Sequence, residues 1–134
     1  MDVNQKGNLT ELQVMLSAIK NGYTVSIPYG DCDRYDQIWD DKQKLLRIQI
    51  KTSRWKDERK TAFIFNCYSV VNGKKHKYTL NEIDCFATFW EDKCYLIPVT
   101  ECSTEKTLWY ELPSVNYQKC CLAKQYELQE VNKI

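Results

Sequence analysis

The sequence predicts a single domain of the α/β class, with a central mixed β-sheet flanked by helices. Two observations support this class. An amphipathic helical segment near the start of the chain is followed by several short runs of alternating apolar and polar residues, each bounded by turn residues. The chain has 134 residues, 43% of them hydrophobic, which suffices for one domain with its own core. We therefore expect residues 1–134 to form one domain.

The first predicted element is a helix over residues 5–21. Its apolar residues recur at helical spacing: Leu12, Met15, Leu16 and Ile19. Asn21 and Gly22 supply a helix stop. Glu11 lies at the edge of this apolar stripe, from which its carboxylate is expected to reach across the sheet.

The strands are predicted from β-rich, alternating runs between turn residues. These runs cover residues 23–29, 35–39, 44–51, 62–67, 85–90 and 93–99. Two pairs of neighbouring runs form hairpins, one around the polar turn 40–43 and one around residues 91–92. A turn is predicted at residues 72–73 and one helical turn at 78–82. The predicted core spans about residues 5–100.

Residues 101–134 are predicted to form a C-terminal extension with a less regular pattern. Residues 109–110 favour a strand, residues 115–122 favour a short helix, and the last dozen residues are a polar tail that is extended or helical. No internal repeat or linker interrupts the chain.

Hydropathy and charge bear on two questions: whether the chain enters a membrane and whether it binds nucleic acid. No apolar run reaches the roughly 18 residues of a membrane span, and the N-terminal residues show no apolar targeting region, so we expect a cytoplasmic protein. The net charge is only +1, from 19 basic and 18 acidic residues. That balance alone does not identify a nucleic-acid binder. Its distribution is uneven, since residues 51–60 and 74–77 are rich in Lys and Arg.

The seven cysteines do not follow a known metal or redox spacing. They lie at positions 32, 67, 85, 94, 102, 120 and 121, with no C-x2-C pair, and the chain has a single histidine, His76. In a reducing compartment we expect free thiols, several of them buried as small apolar groups. A zinc site without a recognisable spacing and a regulatory disulfide remain the alternatives.

One strand combines the side chains that metal-assisted chemistry requires. In the run 44–51, the period of two puts Leu46, Ile48 and Ile50 on one face and Arg47, Gln49 and Lys51 on the other. The preceding run carries Asp36 near its start. Because these two runs form a hairpin, Asp36 is expected to lie close to the Gln49 end of its partner.

Such a cluster suits hydrolysis of a phosphodiester bond. Mg2+ prefers oxygen ligands, and Asp36, Gln49 and the backbone carbonyl of Ile50 would supply them, with Glu11 closing the site; Mn2+ would substitute. Lys51 would orient the attacking water and stabilise negative charge. Each residue also has an ordinary explanation: Asp36 as a turn residue, Gln49 and Lys51 as the solvated face of a strand, and Glu11 as a solvated helix residue.

The chain resembles the PD-(D/E)XK nuclease superfamily. Glu11, residues 34–36 (RYD) and residues 49–51 (QIK) match its signature, and the stretches around them extend the match over about residues 5–100. The resemblance is strongest to the intron-associated homing endonuclease branch, with archaeal Holliday junction resolvases similar at longer range. Two departures are Tyr35, where the motif has Pro, and Gln49, where the commonest form has an acidic residue. The homing branch shows the same Gln.

The resemblance implies a restriction-endonuclease-like fold and a Mg2+-dependent endonuclease that acts on DNA, of homing or structure-specific type. It also implies a homodimer or homotetramer, and no organic cofactor is expected. The DNA contacts are predicted from the basic segments: Arg54, Trp55, Lys56, Lys60, Lys74, Lys75 and Lys77. The alternative is a non-catalytic DNA-binding or protein-binding module on the same fold, which the near-neutral net charge favours.

Overall fold

The computed structural model of the protein describes residues 1–30, 33–115 and 120–131. Its one α-helix in these ranges, α1 (Val3–Lys20), begins at a capping box. The Asp2 side chain accepts a hydrogen bond from the Gln5 backbone, and the Gln5 side chain accepts one from the Asp2 backbone. These two bonds satisfy amide groups that the first helical turn leaves unpaired. The helix ends before Gly22, whose positive φ of 92° favours glycine.

Eleven strands are present in the described ranges. They are β1 (Thr24–Ser26), β2 (Gln37–Asp40), β3 (Leu45–Ile50), β4 (Arg54–Trp55), β5 (Ala62–Asn66), β6 (Tyr68–Val71), β7 (Lys74–Lys77), β8 (Cys85–Trp90), β9 (Lys93–Pro98), β10 (Glu105–Trp109) and β11 (Cys121–Leu122). Two 3-10 turns, Val99–Glu101 and Ala123–Tyr126, follow β9 and β11.

The largest sheet is five-stranded and mixed, as predicted. Its strand order is β1-β2-β3-β8-β9, with β3 and β8 parallel and the other pairs antiparallel. A second sheet has the order β11-β10-β5-β4, and β6 and β7 form a separate hairpin. The parallel pair β3–β8 is central in the first sheet, so β3 has backbone partners on both sides.

Alternating residues of the mixed sheet divide the core into two clusters. On one face, the buried side chains of β3 and β8 pack with Val14 and Ala18 of α1. On the other face, Phe86, Tyr95 and Ile97 join residues of the second sheet. The mixed sheet is therefore covered by one helix on one side and by a second sheet on the other. The α/β class with a mixed sheet is confirmed, whereas a sheet occupies one of the places in which helices were expected.

The predicted inner face of α1 is wrong. Val14 and Ala18 are fully buried, whereas Leu12, Leu16 and Ile19 are 58%, 53% and 55% exposed. Small side chains let the helix backbone approach the sheet closely, and this packing outweighs the larger apolar area of the leucines. The apolar stripe of the sequence therefore faces away from the core.

The C-terminal predictions are correct in part. The strand expected at residues 109–110 exists as β10, which pairs with β5 and buries Leu108. The helix expected over residues 115–122 is wrong at its end, because Cys121–Leu122 is strand β11, parallel to β10. Residues 116–119 of that prediction lie outside the described residues. The basic segments also contain strands β4 and β7, where only loops were expected.

Three cysteines behave as the sequence predicts. Cys67, Cys85 and Cys94 are buried thiols that form no disulfide. Burial raises the pKa of Cys85 and of Cys94 to about 12, so both thiols stay protonated and chemically inert at neutral pH. Within the described ranges, no helix has the length and apolar character needed to cross a lipid bilayer.

Candidate active site

The β2–β3 pair holds Asp36 at the end of β3. The Asp36 backbone amide donates to the Ile48 carbonyl over 2.7 Å, which extends the ladder one residue before β2 begins. Its carboxylate accepts a hydrogen bond from the Ile50 backbone amide at 2.8 Å. Two hydrogen bonds, one from its backbone amide and one to its carboxylate, thus fix the half-buried Asp36 beside Gln49 and Ile50, as the hairpin predicted.

Helix α1 brings Glu11 to the same place. The Gln37 side chain donates to the Glu11 backbone carbonyl at 3.3 Å, and the hydroxyls of Thr10 and Thr52 are 3.1 Å apart. These contacts attach the helix to the sheet on either side of the site. Glu11 and Asp36 then lie within hydrogen-bonding reach of each other.

The two carboxyl groups perturb each other. Burial, together with the charge of Asp36, raises the pKa of Glu11. Burial also raises the pKa of Asp36, although the Ile50 amide, the charge of Lys51 and the hydrogen bond with Glu11 act in the opposite direction. Two partly buried carboxyl groups at this separation favour sharing a proton over carrying two charges. A cation between them would relieve the repulsion.

The remaining predicted ligand atoms lie beside this pair. The Gln49 side-chain nitrogen is 3.4 Å from the Ile50 carbonyl oxygen, so rotating the amide by half a turn would place its oxygen next to that carbonyl. Glu11, Asp36, Gln49 and Ile50 all line one open cavity of about 470 Å³. The structure therefore brings these four predicted residues together.

The donor set suits a hard divalent cation. Among the described residues, no three His, Cys, Asp or Glu side chains lie close enough together to hold a metal. The four predicted residues, Glu11, Asp36, Gln49 and Ile50, instead offer two carboxylates, one amide oxygen and one backbone carbonyl. Mg2+ typically uses one or two carboxylates and keeps several water ligands, whereas a zinc site would require nitrogen or sulfur donors. The residues present fit Mg2+ or Mn2+.

Lys51 is the predicted residue that the structure places differently. Its ammonium group donates to the Tyr68 carbonyl at 3.0 Å and lies 5.0 Å from the centre of the Tyr78 ring. Lys51 is not among the residues that line the cavity, although its charge lowers the pKa of Asp36. The lysine is therefore at the border of the site, between Asp36 and the β6–β7 hairpin.

Arg34 positions that hairpin, a role that the sequence did not reveal. Its guanidinium donates to Glu82 and to the Ser69 hydroxyl, both at 2.9 Å, and stacks 3.8 Å from the Tyr78 ring centre. It also donates to the backbone carbonyls of β7. Arg34 thus connects the segment before Asp36 with the hairpin that contacts Lys51. Only the long-range contacts reveal this role.

The two groups of predicted DNA-binding residues have different surroundings. Lys74, Lys75 and Lys77 are exposed on β7, next to the Lys51 side of the site. In the other group, Arg54 pairs with Glu105 at 3.1 Å, and the ring of Trp55 packs edge-on against that of Trp90.

The other two residues of that second group also lie near aromatic rings. The ammonium groups of Lys56 and Lys60 are 5.6 and 5.9 Å from the ring centres of Trp109 and Trp55. Folding contacts therefore explain much of the 54–60 segment. On β7, the ammonium group of Lys75 likewise lies 4.6 Å from the ring centre of Tyr68, whereas the side chains of Lys74 and Lys77 form no hydrogen bond, ion pair or ring contact with any residue that the structure describes.

Five further residues line the cavity and were not predicted: Asn4, Gly7, Asn8, Thr52 and Val3. The first three share a helix face with Glu11, at spacings of three, four and seven residues. Helical periodicity from Glu11 would have found them, had the inner face of α1 been assigned correctly.

Comparisons with known proteins match almost the whole chain. The sequence model of the PD-(D/E)XK endonuclease family matches residues 1–129. Among solved structures, the chain is similar to a bacterial homing endonuclease, I-Ssp6803I, with a TM-score of 0.74 and 20% sequence identity, over 95% of this chain and 89% of the other. At that identity the likeness shows the fold, and it confirms the restriction-endonuclease-like class. No curated protein sequence matches the chain.

Proposed function

We propose that this chain, which belongs to the PD-(D/E)XK endonuclease family, is a metal-dependent endonuclease hydrolysing phosphodiester bonds in DNA. The observation that carries this proposal is the paired Glu11 and Asp36 carboxyls in an open cavity, beside the amide of Gln49 and the carbonyl of Ile50. Chemically, such a cluster holds a divalent cation. The resemblance of the motif to the family's signature supports a catalytic role for the cavity.

In the proposed reaction, Glu11, Asp36, Gln49 and the Ile50 carbonyl would hold Mg2+ or Mn2+, which would activate a water and neutralise charge on the scissile phosphate. Asp36 is held in a fixed orientation by the Ile50 amide, so the carboxylate is ready for a ligand role without rearrangement. Glu11 provides the second charge, and Gln49 a neutral oxygen. Lys51 would stabilise the negative charge that builds on the phosphate, after exchanging its contact with the Tyr68 carbonyl for one with the substrate.

A second candidate is a non-catalytic DNA-binding or protein-binding module on the same fold. Two observations favour it: the net charge is only +1, and the Lys51 ammonium is engaged by a backbone carbonyl outside the cavity. The two candidates differ in one property, which is turnover.

The test uses the wild-type protein with supercoiled plasmid, linear duplex and a synthetic four-way junction, each with Mg2+, Mn2+ or EDTA. The proposal predicts strand cleavage with either metal and none with EDTA. It also predicts that one of the three DNAs is preferred, which would separate a homing-type from a structure-specific enzyme. Binding of DNA without cleavage under any metal condition would favour the second candidate.

Two further properties belong to the proposal. Members of this superfamily commonly pair two active sites to cut the two strands of a duplex, so we propose a homodimer or homotetramer. The exposed row of Leu9, Leu12, Leu16 and Ile19 on α1 is an apolar surface that a second copy would cover. Light scattering of the purified protein measures the assembly state. The cytoplasmic location expected from the sequence stays a prediction.

A further inference from the structure

Gly7 occupies a position in α1 where folding does not require a glycine. It lies on the inward helix face with Glu11, Val14 and Ala18, the last two of which pack fully buried against the sheet. Gly7 lies on this face beyond the edge of the buried core. A Cβ atom built there would meet no atom within 4 Å. The space above Gly7 is the cavity that Asp36 and Gln49 also line.

Glycine inside a helix destabilises the fold relative to alanine, since it adds conformational freedom to the unfolded chain. The other three glycines have a backbone reason, because Gly22, Gly30 and Gly73 all adopt positive φ. Gly7 has a helical backbone and open space, so neither strain nor crowding excludes a side chain. What a side chain at Gly7 would change is the room above the cavity.

The flanking residues indicate what that room is for. Asn4 and Asn8 line the same cavity one turn apart and are exposed. Neither side chain forms a hydrogen bond with any residue that the structure describes. Side-chain amides commonly donate to phosphate and sugar oxygens of nucleic acids, and glycine is the residue that allows a ligand to approach the backbone closely.

We propose that Gly7 marks the place where the sugar-phosphate backbone of the substrate lies against α1, with Asn4 and Asn8 donating to its oxygens. This inference rests on the proposed function and extends it, since it names the surface that positions the scissile strand over Asp36 and Gln49. Gly7 and the two asparagines are positioning residues in this account, and the metal ligands remain Glu11, Asp36, Gln49 and Ile50.

The test compares Gly7→Ala and Gly7→Leu with the wild type and with Gln13→Leu, a control that adds a leucine to the same helix away from the cavity. Thermal unfolding, Mn2+ binding without DNA, and the KM and kcat for supercoiled plasmid are measured. Both Gly7 variants should unfold about 2–6 °C higher than the wild type, because both residues favour the helix. Their Mn2+ affinity should be unchanged.

Cleavage should separate the variants. We expect Gly7→Leu to raise KM for plasmid by on the order of tenfold or more, Gly7→Ala to have a smaller effect, and Gln13→Leu to have none. A Gly7→Leu variant with wild-type KM and kcat would overturn the inference while leaving the proposed endonuclease intact. Loss of Mn2+ affinity in Gly7→Leu would also overturn it, because the effect would then lie in the metal site. If the wild type neither binds nor cuts plasmid, the proposed function fails first and this inference fails with it.

Discussion

At the scale of single residues, the dominant feature is a pair of carboxyls placed where they cost stability. Glu11 and Asp36 both have raised pKa values, mainly because burial disfavours their charged forms. Asp84 shows the opposite behaviour, since its contact with Arg47 lowers its pKa. The three groups therefore make contributions of different sign to the pH dependence of folding. Residues that lower the stability of the fold in this way are often retained because function requires them.

The first prediction concerns Asp36→Asn. An acid whose pKa is raised on folding contributes stability below its unfolded pKa and loses it as pH rises through the folded pKa. At neutral pH the Asp36 carboxylate therefore destabilises the metal-free protein, whereas an asparagine would keep the acceptor for the Ile50 amide without the charge. Metal-free Asp36→Asn should unfold at a higher temperature than the wild type at about pH 7, and the gap should shrink towards about pH 4.

Asp84→Asn is the matched control for that measurement. Its carboxylate stabilises the fold at neutral pH through Arg47, so this variant should unfold at a lower temperature than the wild type. If Asp36→Asn also lowers the unfolding temperature at neutral pH in the absence of metal, then the carboxyl pair is not a site of repulsion.

The second prediction concerns Gln49, which makes the site less negative than the common acidic form of the motif. With Glu11 and Asp36 as its charged groups, the site should bind metal weakly until a DNA phosphate adds charge. Metal affinity without DNA should therefore fall in the order Gln49→Glu, wild type, Gln49→Ala. Titration calorimetry with Mn2+ measures this order. Equal affinities for the three proteins would show that the Gln49 oxygen is not a ligand.

At the scale of elements, the sequence predicted most strands and the hairpin that carries the site. Apolar or alternating runs identified β2, β3, β5, β8 and β9, because each strand buries side chains in at least one of the two core clusters. It missed β7, whose four residues are all exposed and so leave no alternating pattern. Periodicity detects a strand through burial, and a strand on the surface therefore lacks the signal.

The two errors on α1 have one cause. The apolar stripe suggested that Leu12 and Leu16 face inward, but Val14 and Ala18 do. The rotation of the helix about its axis decides which polar residues reach the cavity, so Gly7 and Asn8 were missed for the same reason. Glu11 was identified from the motif, which does not depend on the helix face. Small residues set this rotation, and hydrophobicity alone gives them little weight.

The third prediction concerns the β6–β7 hairpin. Arg34 and Tyr78 hold it against the Lys51 side of the site, and Lys74, Lys75 and Lys77 are exposed on it. Replacing the three lysines together with alanine should weaken DNA binding and reduce the slope of log affinity against log salt by up to about three. Fluorescence anisotropy with a labelled duplex over a salt series measures the slope.

A matched control for the hairpin is the triple change of Arg54, Lys56 and Lys60 to alanine, which removes the same number of cations from β4 and the segment that follows it. Because Arg54 already pairs with Glu105, whereas no carboxylate among the described residues pairs with a β7 lysine, we expect a smaller loss of slope. Equal losses from both triple variants would mean that the DNA covers both segments, and an unchanged slope in the β7 variant would exclude the hairpin from the interface.

At the scale of the whole molecule, the net charge is only +1, although the proposed substrate, DNA, is strongly negative. Charge balance describes the average surface, whereas binding depends on where the cations lie relative to the site. The β7 lysines and Lys51 lie on one side of the paired carboxyls, and α1 with Asn4 and Asn8 lies on another. A strand of DNA crossing the cavity would meet amides on one side and cations on the other. From this arrangement we expect the affinity for DNA to be moderate and to fall as the salt concentration rises.

The central claim is that Asp36 and Lys51 act at one metal-dependent site, and plasmid cleavage by defined variants tests it most directly. With Mg2+, Asp36→Asn and Lys51→Ala should each cleave supercoiled plasmid on the order of a hundredfold more slowly than the wild type while remaining folded. Exposed control changes, Glu130→Ala and Lys124→Ala, should cleave as the wild type does. Wild-type rates in the Asp36→Asn or Lys51→Ala protein, from preparations free of contaminating nuclease, would contradict the account.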